Sequence, residues 1–486
     1  MKNRIHVDLD RRAGPVDRDL FGGFVEHLGR CIYGGIYEPG SPLADEHGFR
    51  RDVLEAVRGL RMPVIRYPGG NFASGYRWRD GVGPPQERPA REELAWHTVE
   101  TNRFGTNEFI QWCRAAGAEP YLCVNCGDGD QREARDWVEY CNGTRDTALA
   151  LLRRRHGFAA PHKVRYWGIG NEVDGRWQIG YKTPEEYARA CTEFAKVMRR
   201  VDPEIRILAS ATCKWSEDFV ERGQLILEQA GDLVDYMAVH WYVGNRANDF
   251  AAYMALSEVF EERLSAYEGL IRAVRLARKL ARPIYIAVDE WNVWYRTGPE
   301  VGLEEVYNLE DALVVAMHLN AFIRHAALVR MANIAQVVNV IAPILARPEG
   351  LVRQTIYWPL EVYGRLAGPD ALDLYWDGET FAGGGRQGVR VLDAAATVDP
   401  ARRELALFLV NRSSGAAAET EVRLADGRFR GPARTWTIAG GDPKAENTFD
   451  RPDAVTVREG TLPADGPALG LALGPCSVTA LAVPVV

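Results

Sequence analysis

The chain has 486 residues, 47% of them hydrophobic and 26% charged, with a formal net charge of -7 and an isoelectric point near 5.8. This is the make-up of a folded protein with a large and a smaller domain, and it excludes a broad basic surface, so a neutral or mildly polar ligand is expected and nucleic acid is not. No stretch reaches the ~18 apolar residues of a membrane span and the start lacks a signal-peptide core, which predicts a cytoplasmic protein without a membrane partner.

In chain order, Ile5, Val7 and Leu9 alternate with His6, Asp8 and Asp10, the pattern of a half-buried strand. From Phe21 a rhythm of short apolar run, polar loop and amphipathic helix sets in, as βα units around a parallel sheet require. The expected strands are Phe21–Val25, Val64–Arg66, Tyr121–Asn125, Val164–Gly168, Ile205–Ala209, Tyr236–His240, Ile284–Asp289 and Ile334–Val338. Helices are expected over Arg51–Arg61, Thr106–Ala116, Thr183–Arg200, Asp218–Ala230, Leu264–Leu280 and Leu309–Leu328. Thr183-Pro-Glu-Glu186 carries the signals of a capped helix start, a capping threonine and a proline in the first turn. After Gly368 short alternating strands follow, separated by Gly, Pro and Asp: Val389–Leu392, Glu404–Val410, Glu421–Leu424, Ala433–Ile438, Ala454–Val457 and Ser477–Val483. The prediction is an α/β protein: a (β/α)8 TIM barrel over 18–368 and an antiparallel, jelly-roll-like β-sandwich over 369–486, which the N-terminal strand within 1–17 joins because it needs a sheet.

In such a barrel the C-terminal strand ends converge on one pocket. They carry Glu26 and His27, Asn71, Asn125, Asn171 and Glu172, His240 and Tyr242, Asp289 and Glu290, and Gln336. Glu172 and Glu290, at the fourth and seventh ends, face each other as the proton donor and nucleophile of a double-displacement glycosidase would. Asp289 is expected to point away, since neighbours on a strand alternate sides. Trp96, Tyr242, Trp291, Trp294 and Tyr295 offer aromatic walls for a sugar, with core packing the competing reading, above all for Trp291. His240 could bond the nucleophile or a sugar hydroxyl. A barrel metallohydrolase would need clustered ligands such as His-x-His, which none of the nine histidines forms. A non-catalytic carbohydrate-binding barrel would need no second glutamate. The eight cysteines are read as free thiols, the Cys123-x-x-Cys126 pair included, because no second pair stands at zinc-ribbon spacing.

Phe21-Gly-Gly-Phe-Val-Glu-His-Leu-Gly-Arg30, Arg66-Tyr-Pro-Gly-Gly-Asn71, Gly168-Ile-Gly-Asn-Glu172, Asp289-Glu-Trp-Asn-Val-Trp-Tyr295 and Ala335-Gln-Val-Val-Asn-Val-Ile-Ala-Pro343 together resemble the α-L-arabinofuranosidases of glycoside hydrolase family 51. The resemblance implies a retaining exo-α-L-arabinofuranosidase acting on arabino-oligosaccharides or arabinoxylan fragments, with no cofactor and no metal, in an intracellular homohexamer. It implies Glu172 as acid/base and Glu290 as nucleophile. Glu26, Asn71, Asn171, Tyr242 and Gln336 would hold the furanose, His240 and Tyr242 would flank the nucleophile, and Trp96 and Trp294 would stand beyond the scissile bond. A related retaining glycosidase for another furanoside or a xylan-type substrate is the alternative. The sequence departs from the family pattern at Trp241, where many members have Gln, in the Cys126-Gly-Asp-Gly-Asp130 loop, and in a short segment after Tyr295.

Overall fold

The computed structural model describes residues 3–296 and 302–486. Eight parallel strands close a barrel: β1 (Gly22–Phe24), β2 (Val64–Tyr67), β3 (Glu119–Val124), β4 (Tyr166–Ile169), β5 (Arg206–Thr212), β6 (Tyr236–Val243), β7 (Tyr285–Val293) and β8 (Val329–Ala335). Helices Thr106–Ala116, Pro184–Val201, Phe219–Ala230, Leu256–Arg278 and Leu309–Arg324 are among those that clothe it. The expected cap is present and closes into a capping box: Thr183 Oγ1 accepts from the Glu186 N–H at 3.3 Å and Glu186 Oε2 from the Thr183 N–H at 2.9 Å.

The last barrel strand begins five residues before the expected Ile334, and Gln336–Val338 lie beyond its end. Arg330 and Asn333 interrupt its apolar run, yet Asn333 is buried because its amide donates to the Gly23 carbonyl at 3.0 Å. Two helices between β3 and β4, Gln131–Asn142 and Ala148–Arg155, were not marked by apolar periodicity; they start on the side-chain caps of Asp130 and Thr147.

The sandwich faces a four-stranded sheet toward a seven-stranded one. Asn3–Val7 pairs with Ala418–Leu424 on one side and Tyr375–Asp377 on the other, burying Ile5 and Val7 against Leu405, Leu407 and Leu481. The first of these pairings is parallel, a departure from the expected antiparallel sandwich. Arg12–Pro15 adds a second N-terminal strand, on Asp370–Leu372. The strand expected at Val389–Leu392 is instead two, Arg386–Arg390 and Leu392–Asp399, and that expected at Ala454–Val457 runs Thr456–Leu462. The short segment after Tyr295 runs into 297–301, outside the described residues.

One irregularity decides the site. Ala238 of β6 stands opposite Ala287 of β7, but His240 stands opposite Glu290, so β7 carries an extra residue between them. The same extra residue shows against β8, where Ala332 pairs Val288 and Ile334 pairs Trp291. A bulge of this kind breaks the two-residue alternation. Asp289 and Glu290 therefore both face the barrel interior, which corrects the expectation that Asp289 points away.

Candidate active site

The ten residues expected at the site come together at the C-terminal end of the barrel. Glu26 follows β1 and Gln336 follows β8; the Glu26 N–H donates to Gln336 Oε1 at 3.1 Å, and Gln336 Nε2 donates to Glu26 Oε2 at 3.3 Å. Glu26 Oε1 accepts from the Phe72 N–H at 3.1 Å and from Trp96 Nε1 at 3.2 Å. Trp96 sits in the turn of the hairpin Arg91–Glu93/Thr98–Glu100, whose closure brings the indole over the barrel end. Asn171 donates to Asn71 Oδ1 at 3.3 Å and accepts from Arg66 Nη2 at 2.6 Å.

Arg66 Nη1 donates to Glu290 Oε2 and the Tyr242 hydroxyl to Glu290 Oε1, each at 2.8 Å. His240 Nδ1 is 3.0 Å from Glu172 Oε1 and 3.7 Å from Glu290 Oε2, so the imidazole serves Glu172 first. Trp294 meets Tyr242 edge to face at 5.6 Å. Other strand-end residues do not join. His27 turns to Glu100 and Tyr67, Asn125 holds its own loop through Asp128 and the Tyr76 carbonyl, and Trp291 packs on His318 and Phe322 in the helix layer. Trp241 also points outward, stacked on Phe260 and donating to His318 Nε2 at 2.8 Å, so that departure touches packing and not the pocket. Cys123 and Cys126 are buried free thiols, both pushed up by burial to about 11, which leaves them protonated and unreactive.

Sequence reasoning missed Arg66 and misplaced Asp289. Asp289 Oδ2 accepts from the Tyr121 hydroxyl at 2.8 Å and lies 3.5 Å from Arg66 Nε, while its Oδ1 is 3.4 Å from His240 Nε2. The available signal was an arginine directly after the apolar Val64-Ile65, inside a barrel that admits a charge only with partners.

Charged groups crowd one another at the site. Burial works against the charge on Arg66, but the carboxylates of Asp289 and Glu290 outweigh it. Burial also opposes the charge on His240, yet Glu290, Asp289 and Glu172 raise it to about 10, an imidazolium at neutral pH. Asp289 stays ionised: burial raises it, and Arg66, His240 and Tyr121 more than reverse that. Burial and the neighbouring Glu290 push Glu26 up to about 8. Glu172 is raised by burial, with Glu290 adding to the rise and His240 opposing it. Two cations thus face four carboxyls, and burial together with Glu290 pushes Glu26 and Glu172 upward while Asp289 is held down.

The arrangement is also the one group of ligand-type side chains, among the described residues, that could embrace a cation: one donor atom from each of Glu172, His240 and Glu290 lies within 4.8 Å of the others. Yet Arg66 and Tyr242 already donate to both oxygens of Glu290, and the guanidinium supplies the positive charge an ion would bring. The donors fit paired-carboxyl hydrolysis better than a metal centre. A barrel with an acid and a carboxylate this close across its mouth is a glycoside hydrolase.

Comparison with known proteins narrows the class. The family descriptions "Alpha-L-arabinofuranosidase 1 domain" and "Alpha-L-arabinofuranosidase C-terminal domain" match residues 56–262 and 289–477. The chain is 39% identical over 478 residues to the "Intracellular exo-alpha-(1->5)-L-arabinofuranosidase 1" of Bacillus subtilis, covering 95% of this chain and 94% of that one. It is 46% identical over 371 residues to "Alpha-L-arabinofuranosidase C" of Emericella nidulans, covering 74% and 73%. The arabinose complex of the Thermotoga maritima α-L-arabinofuranosidase superposes with a TM-score of 0.92 at 38% identity, over all of both chains. The family 51 enzyme of Bifidobacterium longum superposes with a TM-score of 0.92 at 33% identity, over 99% of each. The chain belongs to the α-L-arabinofuranosidases of glycoside hydrolase family 51.

Proposed function

We propose that the protein is an exo-acting, retaining α-L-arabinofuranosidase that removes terminal arabinofuranosyl groups from imported arabino-oligosaccharides or arabinoxylan fragments. Glu172 acts as acid/base and Glu290 as nucleophile. The observation that carries this reading is the approach of the two carboxyls to within 4.8 Å, oxygen to oxygen. Retaining glycosidases hold their carboxyls about 5 to 5.5 Å apart, whereas inverting ones leave about 6.5 to 9.5 Å for a water. Exo action is supported by the closed floor: Glu26, Asn171 and Gln336 are each at most 3% exposed, whereas the Glu172 side chain is 13% exposed. The names of the Bacillus subtilis, Halalkalibacterium halodurans and Streptomyces lividans relatives support α-(1→5) linkages and an intracellular, cytoplasmic site of action. Assembly as a homohexamer belongs to the same proposal, and light scattering tests it.

In the first step Glu290, held by Arg66 and Tyr242, attacks the anomeric carbon while Glu172 protonates the departing oxygen. The glycosyl ester then yields to water, from which Glu172 takes a proton. Glu26, Asn71, Asn171 and Gln336 grip the furanose, and Trp96 and Trp294 flank the leaving group.

The two glutamates should fail differently. Glu172→Ala should lose roughly 10²- to 10⁴-fold on a natural oligosaccharide and far less on an activated aryl arabinofuranoside, because a nitrophenolate leaves without a proton. Azide should restore its turnover by attacking the accumulated glycosyl-enzyme. Glu290→Ala should lose both substrates alike, and azide should give it only an inverted product. Azide rescue with retention in Glu290→Ala and none in Glu172→Ala would reverse the two assignments.

A further inference from the structure

The opposite, N-terminal mouth of the barrel is lined by unlike chemistry. A cavity of about 200 Å³ there is bounded by Arg165, Arg206, Arg282 and Arg330 with Asp17 and Asp235. Asp235 is saturated: Oδ1 accepts from Arg206 Nη1 at 3.0 Å and from Arg282, and Oδ2 from Arg199 Nη2 at 2.5 Å and the Ile207 N–H at 2.8 Å. Three guanidiniums therefore share one carboxylate. Asp17 accepts from the Asp19 N–H at 3.1 Å, a bond that leaves its negative charge in the cup, so two carboxylates face four guanidiniums there.

Arg165 and Arg330 have no carboxylate at ion-pair distance among the described residues. They lie instead over the rings of Tyr166 and Tyr285, each 5.1 Å from the centroid. A chain of net charge -7 thus gathers an excess of positive charge into one cup. Guanidiniums in excess of carboxylates in one cup repel each other, and an anion between them would relieve that repulsion. A second groove, of about 910 Å³, shares Arg165 and Arg206 with the cup and adds Arg145, Lys163 and Arg200 against Glu139, Asp202 and Glu204. The planar fork of arginine matches two oxygens of a tetrahedral oxyanion, and aromatic stacking fixes the fork in advance.

We propose that this cup binds a phosphate group, either free phosphate or the phosphate of a small monoester whose organic part lies in the adjoining groove. Its face is opposite the one that bears the glutamates, so the occupant acts on the barrel's stability and not on the chemistry.

The test is isothermal titration and thermal melting of the whole protein with sodium phosphate, ribose 5-phosphate and sodium chloride at matched ionic strength. Saturable binding of phosphate or the monoester, with a rise in melting temperature that chloride does not give, is expected. Tighter binding of ribose 5-phosphate assigns the monoester, and equal binding assigns free phosphate. Arg165→Gln/Arg330→Gln should weaken binding at least about tenfold, the Lys/Lys double variant should weaken it less, and both should keep kcat/KM on an aryl arabinofuranoside. Chloride raising the melting temperature as much as phosphate, no saturable binding at millimolar ligand, or native affinity in the Gln/Gln variant would each overturn the site.

Discussion

Gly70 offers the sharpest test of where the sugar sits. A methyl on its Cα would lie 3.3 Å from Glu290 Oε2, 3.4 Å from Glu26 Oε2 and 3.5 Å from Asn171 Nδ2. At φ -82° and ψ -105° Gly70 lies outside the regions that residues with a side chain favour, a cost of about 1 to 3 kcal/mol for alanine, and these contacts need only slight adjustment, so Gly70→Ala should fold. The bound furanose cannot adjust so cheaply. A sugar oxygen bonded to those polar atoms would stand about 2.8 Å from each, in the space the methyl takes. A displacement on the order of 1 Å from the attack geometry costs about a hundredfold, or about 2.7 kcal/mol at 1.36 kcal/mol per tenfold. Gly70→Ala should therefore lose about 10²-fold in kcat/KM on a nitrophenyl arabinofuranoside while its melting temperature stays within a few degrees of the parent. A loss below about threefold in a well-folded variant would show that the ring does not occupy the space above Gly70.

Three further outcomes are expected. Asn71→Ala strands the Asn171 amide, which now donates to Asn71 at 3.3 Å, and should cost roughly 2 kcal/mol in kcat/KM, read by full kinetics on an arabinofuranoside. Trp96→Phe keeps a ring but removes the 3.2 Å bond to Glu26; KM should rise about three- to tenfold, whereas an unchanged KM would make the indole a bystander. His325 is opposed by burial but raised to about 9 by Glu261 and Glu268, so its contribution to stability is complete below its unfolded value near 6.5 and is lost as pH rises through about 9. The melting temperature should fall by a few degrees between neutral pH and about 10, with a flatter profile in His325→Gln.

The barrel was legible where apolar runs end in polar residues, because a strand buried on both faces leaves little room for anything else. It was not legible where polar side chains are buried with partners far away in sequence. Arg330 and Asn333 disguised β8, and Asp393, held by Asn320 and Arg324, disguised the start of Leu392–Asp399. The pocket's glutamates and amides could be read from their place at strand ends. The bulge in β7 could not, since no glycine or proline marks it, and with it went the inward turn of Asp289. Arg66 was likewise hidden, because what makes a buried guanidinium tolerable, here Asp289, Glu290 and Asn171, is assembled only by closing the barrel.

The strand Asn3–Val7 sits between two partners, Tyr375–Asp377 and Ala418–Leu424, so its sheet cannot form until more than four-fifths of the chain exists. At the roughly 5 to 20 residues per second of synthesis, that wait is on the order of 20 to 80 seconds. Throughout it Ile5 and Val7 have no core to enter, while every barrel strand is made before the partner strand at 418. Capture of the chain's own beginning is then a late step of folding, and a bulky fusion placed ahead of Asn3 would burden that step directly.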